Sequence, residues 1–265
     1  MVKLIVSGAA GKMGKRIINA VAQTKGAQLA AALENPNSPS LGLDAGEQAG
    51  INKSGVKIGS DLDQALAVGD VLIEFTSPAA TIQHLQAAVS VGKGMVIGTT
   101  GLSAAELVQV EQAGVKIPCV LAPNMSVGVN LLLKVLPQIA RVLQGYDIEI
   151  IEAHHRLKKD APSGTALKLA QVITQALDRD LGKVGVYGRR GISGERPSEQ
   201  IGIHAVRAGD IVGDHTVLFS GPGESIEIIH RAHSRDTFAQ GAVKAALFLA
   251  GKSRGLYNMQ DVLGL

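Results

Sequence analysis

The sequence predicts an α/β fold: a doubly wound parallel sheet, followed by a smaller α+β domain with a mostly antiparallel sheet. Three observations carry this. Through residue 125, short apolar runs alternate with helix-length amphipathic stretches, the pattern of strand–helix–strand units. A glycine-rich turn joins the first run to the first helical stretch. Beyond residue 200, apolar runs succeed one another across glycine turns with no helix between them, which reads as antiparallel pairing.

The first run, Val2–Ser7, enters Gly8-Ala9-Ala10-Gly11-Lys12-Met13-Gly14, and a helical pattern follows through Ile17, Ile18, Val21 and Ala22. Ala27–Leu33 is the second strand and ends at Glu34. In this Rossmann-like β-loop-α-β pattern, glycines permit a tight turn and bring backbone N–H groups close to a pyrophosphate. The helix N-terminus adds partial positive charge. Glu34 lies 20 residues after Gly14, where an acidic side chain bonds the adenosine ribose hydroxyls. The glycine spacing is Gly-x-x-Gly-x-x-Gly rather than Gly-x-Gly-x-x-Gly, so the flanking strand, helix and acid carry the identification against an ordinary tight turn.

Residues 35–55 are rich in Asn, Pro, Ser and Gly and read as a loop. A short strand at 56–58 follows, then a short helix capped by Asp61. Strands are expected at 71–75, Gly94–Ile97 and 116–121, with helices at 79–91 and 103–113. Ligands of such sheets lie beyond the carboxyl ends of the strands. Three loops leave those ends: the Gly8 to Gly14 turn, Gly98-Thr99-Thr100-Gly101, and Ala122-Pro123-Asn124-Met125. Their small residues allow a cofactor to approach the backbone. Ser126 then caps a long helix at 127–143, with a kink expected at Pro137. A strand at 146–155 and a helix at 165–177 come next, and 182–202 is loop-rich and basic. Strands at 203–208 and 211–219 read as a hairpin across Gly209-Asp210, and the Gly221-Pro222-Gly223-Glu224 turn leads into a strand at 225–231. A last helix at 237–250 returns to the first domain. The expected division is 1–125, completed by 236–265, and 126–235.

Composition excludes several functions. Only 3% of the residues are aromatic and there is no Trp, which argues against base-stacking surfaces. The net charge is +3 with the basic residues scattered, which argues against a nucleic-acid partner and suits a small anionic ligand. Cys119, the one cysteine, lies inside a strand and is expected to be a small buried residue rather than a nucleophile. No signal-peptide pattern and no membrane-length apolar run is present, so a cytoplasmic protein is expected. The histidines lack metal-ligand spacing, so no metal is expected, and His204, His215, His230 and His233 read as strand or loop residues.

The chemistry concentrates in Glu152-Ala-His154-His155-Arg-Leu-Lys158-Lys-Asp160-Ala-Pro-Ser163-Gly164-Thr165-Ala166. Neighbours in a strand point to opposite faces, so His154 and His155 share a site only if the strand ends there. A loop over Arg156 and Leu157 would bring Lys158 to His154, giving a proton donor and a cation. Ser163 is a plausible N-cap, and the N–H groups of Gly164 and Thr165, with the two hydroxyls, would hold a carboxylate. Plain helix capping beside a solvated basic face is the competing reading.

At this density the likeness becomes specific. The stretch resembles the signature of the dihydrodipicolinate reductase (4-hydroxy-tetrahydrodipicolinate reductase) family of the lysine and diaminopimelate pathway. The likeness extends to the Gly8 to Gly14 turn, Phe75-Thr76, Gly98 to Gly101, Asn124-Met-Ser-Val-Gly-Val-Asn130, Arg207-Ala-Gly-Asp210 and Ser234-Arg235. The resemblance implies reduction of a cyclic dicarboxylate by NADH or NADPH with loss of water. It implies His154 as acid/base and Lys158 as proton donor, with the substrate carboxylates on His155, Ser163, Gly164 and Thr165. It places the pyrophosphate on Gly8, Ala9, Ala10, Gly11, Lys12 and Met13, and the ribose on Glu34. The nicotinamide then lies by Gly98, Thr99, Thr100, Ala122, Pro123, Asn124 and Met125. It also implies a homotetramer built on the smaller domain's sheet, and domain closure on binding. Asn35 departs from members with Arg after the acid, and with Glu34 it weakens the case for NADPH. Lys12 or Arg16 would have to compensate, and dual cofactor use with NADH at least as good is expected. Two rival readings are a nicotinamide-dependent amino-acid dehydrogenase of similar build and a dinucleotide sensor without catalysis. The sensor has no need of His154 and Lys158.

Overall fold

The computed structural model describes residues 1–265. The chain divides into two compact units, Met1–Val127 with Arg235–Leu265, and Gly128–Ser234.

In the first unit, strands β1 (Val2–Ser7), β2 (Ala27–Leu33), β3 (Ile58–Gly59), β4 (Val71–Glu74), β5 (Gly94–Ile97) and β6 (Pro118–Leu121) alternate with helices. The helices are α1 (Lys12–Gln23), α2 (Ala45–Gln48), α3 (Leu62–Val68), α4 (Pro78–Ser90) and α5 (Ala104–Gly114). The second unit contains nearly all of α6 (Val127–Val142), then β7 (Asp147–His154), α7 (Gly164–Ala176), α8 (Leu181–Val184), β8 (Gly185–Val186), β9 (Ile201–Arg207), β10 (Asp214–Gly221) and β11 (Glu224–Arg231). The chain then rejoins the first unit through α9 (Asp236–Leu249), β12 (Gly255–Tyr257) and α10 (Met259–Leu263).

The large sheet is wholly parallel, in the order β12-β6-β5-β4-β1-β2-β3. The central strands are apolar on both faces because each face meets its own helical layer. Leu4 and Val6 pack with Ile17, Ile18, Val21, Ala242, Val243 and Ala246, on the side of α1 and α9. Ile5 between them packs with Leu66, Leu85 and Val110, on the side of α3, α4 and α5. The same alternation sends Val71 and Ile73 one way and Leu72 the other, and Val120 one way and Cys119 the other. Cys119 is fully buried, and burial pushes its thiol up to about 12. The strand order reverses at β1, which has β2 on one side and β4 on the other. A crevice for a ligand opens at such a reversal, at the carboxyl ends of the strands.

Side chains cap these helices, Asp61 among them as expected. Asp61 accepts from Gln64 N–H, Ser77 from Ala80 N–H with Pro78 at the first helical position, and Ser103 forms a capping box with Glu106. In the 35–55 stretch, Asp44 caps α2 and also receives Ser54 and Gly55 N–H, which pins a loop that had no expected structure.

The smaller sheet is mixed, in the order β11-β10-β7-β9-β8. β10 is antiparallel to β11 and β7, whereas β9 is parallel to β7 and β8. The expected hairpin across Gly209-Asp210 does not form. β7 lies between β9 and β10, and the segment between them crosses over it, with Gly209 O and Ile211 O taking the N–H groups of Arg156 and His155. Glycine-aspartate marks a turn but does not say which strand is the partner, and the apolar 146–155 run outcompetes its sequence neighbour for the central place. The hairpin across Pro222-Gly223 does form, pairing Gly221 with Glu224. The C-terminal β12 and α10 had no expected counterpart; β12 extends the large sheet beside β6. α6 continues through Pro137 without ending there. Its Leu132, Leu136 and Ala140 pack with Leu169, Ala170 and Ile173 of α7 over Ile148, Ile150, Val217 and Phe219. On the opposite face Ile151, Val206 and Ile229 stay 40–45% exposed.

Candidate active site

The first unit gathers the expected nucleotide residues at the carboxyl edge of its sheet. Gly8 has φ +65°, a conformation that favours glycine. Gly11 N–H closes the turn on Gly8 O at 2.9 Å, and Ala9 N–H bonds Leu33 O at 2.9 Å. A Cβ on Gly14 would lie 2.0 Å from Gly8 O, so α1 approaches β1 as closely as only glycine permits. No side chain caps α1, which leaves the first-turn N–H groups of Lys12 and Met13 open to an anion. The Glu34 carboxylate accepts Ala10 N–H at 2.9 Å and Asn35 N–H at 3.0 Å, so it stands against the glycine turn. These features fit a dinucleotide.

A pocket nearby is lined by Met13, Pro123, Asn124 and Met125, all expected, and by Phe75 and Phe238. Phe75 covers Gly98, where a Cβ would lie 2.1 Å from the ring. Thr99 is buried and Thr100 exposed, and Ala122 N–H bonds Ile97 O at 3.1 Å. Arg16, one of the two cations considered for NADPH, pairs with Asp236 at 2.6 Å, while Lys12 is exposed.

In the second unit β7 ends at His154, the condition for His154 and His155 to serve one site. His154 is 9% exposed, and its Nδ1–H donates to Glu152 Oε2 at 2.6 Å. Glu152 is fully buried and is held from three sides. Arg207 donates to both oxygens at 2.8 Å, and Ser163 N–H donates to Oε1 at 3.0 Å. Burial alone would raise the Glu152 carboxyl, but the hydrogen bonds from Arg207, His154 and Ser163 outweigh it and hold the carboxyl below its ordinary range. For His154 burial wins: the imidazole pKa lies below its ordinary value, Lys158 and Arg207 push it the same way, and the Glu152 bond opposes them.

His154 is therefore a neutral imidazole at neutral pH, with its Nδ1 proton fixed on Glu152 and its Nε2 left to accept from a second partner. Lys158 Nζ is held by both oxygens of Asp160 at 2.9 Å. Ser163 caps α7 by accepting Ala166 N–H at 3.2 Å, and its Oγ lies 3.1 Å from His215 Nε2. The Ser163 side chain is thus buried and engaged. Gly164 beside it is exposed, with nothing within 4 Å of where a Cβ would be, so the helix start has room for a carboxylate. The Nδ1 atoms of His155 and His215 are buried without a hydrogen-bond partner.

Three members of this cluster were not expected. Glu152 lies two residues before His154 and so on the same face of β7, a signal already present in the strand period. Arg207 and His215 come from β9 and β10, and only the sheet pairing brings them in: His154 is opposite Arg207 and Glu152 is opposite His215. The His215 ring stands edge-on to His154 with centroids 5.2 Å apart, and burial, aided by His154 and His230, pushes its pKa down to about 4.

A parallel sheet with a glycine-turn nucleotide edge, joined in one chain to a carboxylate-held histidine beside an open helix start, defines a nucleotide-dependent oxidoreductase of two units. Comparison with known proteins narrows the class. Residues 2–125 match the family described as dihydrodipicolinate reductase, N-terminus, and residues 128–263 match dihydrodipicolinate reductase, C-terminus. The chain belongs to the dihydrodipicolinate reductase family. It is 53% identical over 265 residues to the 4-hydroxy-tetrahydrodipicolinate reductase of Syntrophus aciditrophicus (strain SB), covering 100% of this chain and 99% of that protein. It is 55% identical over 264 residues to the protein of the same name from Alkalilimnicola ehrlichii, covering 99% of each. Among solved structures it is similar to the dipicolinate-bound dihydrodipicolinate reductase from Paenisporosarcina sp. TG-14, with a TM-score of 0.77, 26% identity and 98% of both chains covered.

Proposed function

We propose that this chain reduces 4-hydroxy-tetrahydrodipicolinate to tetrahydrodipicolinate, drawing on NADH or NADPH, in the lysine and diaminopimelate pathway of the cytoplasm. The observation that carries the reading is the Glu152–His154 pair, fixed by Arg207 beside the open start of α7. The nicotinamide supplies the hydride. The net change consumes one hydride and one proton, and the substrate hydroxyl leaves as water once it has taken a proton. Glu152 holds His154 in one tautomer and orientation, so its Nε2 can relay that proton; Lys158 is the cationic donor, and Asp160 holds its ammonium in place. Gly164 and Thr165 at the helix start, with His155, hold the carboxylates, and Ser163 keeps that start in place. Charge that develops on the substrate is met by fixed donors rather than by reorganising water.

Asn35 follows Glu34 and Arg16 is engaged by Asp236, so of the two cations considered for a 2′-phosphate only the exposed Lys12 is left unengaged. With freshly made substrate, kcat/KM is expected to be at least as high with NADH as with NADPH. A strong preference for NADPH would refute the dual-use reading.

The exposed face of the small sheet fits self-assembly into the family's tetramer. Ile151 and Ile229 both oppose Thr216 across β10, so they share that face. Ile151→Lys with Ile229→Lys is expected to turn a tetramer into smaller species in light scattering while each unit stays folded by circular dichroism. A wild-type chain that is monomeric at micromolar concentration would remove this assignment.

A further inference from the structure

A second buried polar network lies in the first unit, at the carboxyl edge of the large sheet, and the chemistry above does not use it. Glu74, the last residue of β4, is fully buried. Each of its carboxylate oxygens has one donor: His84 Nδ1 of α4 is 2.5 Å from Oε2, and the Thr76 hydroxyl donates to Oε1. Ser7 Oγ, at the end of β1, lies 3.3 Å from the same His84 nitrogen. Thr76 N–H donates to Thr99 Oγ1 at 3.2 Å, and Thr81 Oγ1 donates to that oxygen at 2.8 Å. The network therefore ties together the ends of β1, β4 and β5, two of which flank the reversal of strand order.

Hydrogen-bond accounting gives the Thr76 hydroxyl a direction. A carboxylate accepts only, and a hydroxyl has one proton and two lone pairs. Thr76 spends its proton inward on Glu74, so its oxygen has only lone pairs to offer a ligand. Thr76 is exposed although Glu74 is not, and its Cγ2 would be 3.0 Å from a Cβ on Gly8. An acceptor-only hydroxyl thus stands beside the glycine turn. A ribose hydroxyl of a dinucleotide is the donor that fits it.

We propose that Glu74, held by His84, is a positioning residue for the cofactor: by taking the Thr76 proton it fixes Thr76 as the acceptor for a ribose hydroxyl of the bound dinucleotide. This rests on the reading that the first unit binds NADH, and it is tested by binding alone. NADH is titrated by its own fluorescence into wild type, Glu74→Gln, Thr76→Val, Thr76→Ser and the Glu74→Gln/Thr76→Val double variant. Glu74→Gln keeps the shape but offers an amide that can donate back at Thr76. A loss of NADH affinity of roughly tenfold is expected for Glu74→Gln and for Thr76→Val, the scale of one well-made hydrogen bond. Thr76→Ser is expected to bind as wild type, and the double variant to bind no worse than about twofold below the weaker single variant, because both remove one interaction.

A melting temperature lowered in Glu74→Gln with unchanged NADH affinity would make the pair merely structural and overturn the proposal. Losses that multiply in the double variant would do the same, since Glu74 would not then act through Thr76. Should Glu74→Gln not fold, unchanged affinity in Thr76→Val overturns the proposal by itself, and a loss restored in Thr76→Ser supports it. A wild-type chain that does not bind NADH overturns the cofactor reading beneath it, which none of the variant outcomes does.

Discussion

Replacing His154 by alanine is expected to lower kcat by about two orders of magnitude, the lower end of what a positioned acid or base contributes. Lys158→Ala is expected to do the same. NADH binding to both variants, followed by fluorescence, should match wild type, because neither residue belongs to the first unit. The expectation follows from how His154 is held. A buried imidazole whose Nδ1–H is fixed at 2.6 Å on a fully buried carboxylate has one free nitrogen and one orientation. Water can replace the proton but not that placement, which is why the loss should appear in kcat more than in KM. In the proposed mechanism Lys158 contributes the cation and Asp160 the hold on it, so Lys158→Arg should recover part of the charge but not the geometry. Near-normal turnover in both alanine variants, measured with freshly made substrate, would sink the mechanism.

The sequence made the first unit legible almost throughout, because its signals are local. Strands β1, β4, β5 and β6 carry apolar residues at consecutive positions, as Leu4, Ile5 and Val6 do, and that is what a sheet covered on both faces requires. The caps Asp61, Ser77 and Ser103 announce their helices one residue ahead. The short α2, β12 and α10 had no expected counterpart, and the other misses are non-local. β9 pairs with β7 and not with its sequence neighbour β10, and no turn residue encodes that choice. The active cluster divides the same way. The Glu152–His154 pair was readable in principle from strand period, and the structure ties Lys158 to Asp160 two residues on. Arg207 and His215 lie more than fifty residues from Glu152, and only register places them there. Glu74 and His84 are ten residues apart, but the turn between them, from a strand end into a helix, hides their contact from any periodic pattern.

Removing Glu152 should be the most damaging single change in the second unit. Glu152→Ala leaves the Arg207 guanidinium and the His154 ring without their shared partner in a buried place, and breaking such a pair costs about 3–5 kcal/mol. The double variant Glu152→Leu/Arg207→Met removes both charges, so it is expected to regain much of that stability while remaining inactive. The two variants therefore separate the structural role of Glu152 from its hold on His154. The pH dependence has a definite sign. The folded Glu152 carboxyl lies below its ordinary value of 4.5, so its contribution is complete above that pH and is lost as pH falls through the lowered folded value. His215 is held neutral in the fold, with a pKa of about 4 against an ordinary 6.5. Because the unfolded chain then binds the proton first, stability already declines as pH drops from 6.5 toward 4 in wild type and variant alike. In calorimetry the gap in melting temperature between wild type and Glu152→Ala should persist from neutral pH down to about pH 5 and close only below that. A gap that closed already at mildly acidic pH would mean that Glu152 is not held as an ionised partner of Arg207 and His154. In that case His154 would lose the fixed tautomer on which the proposed proton transfer depends.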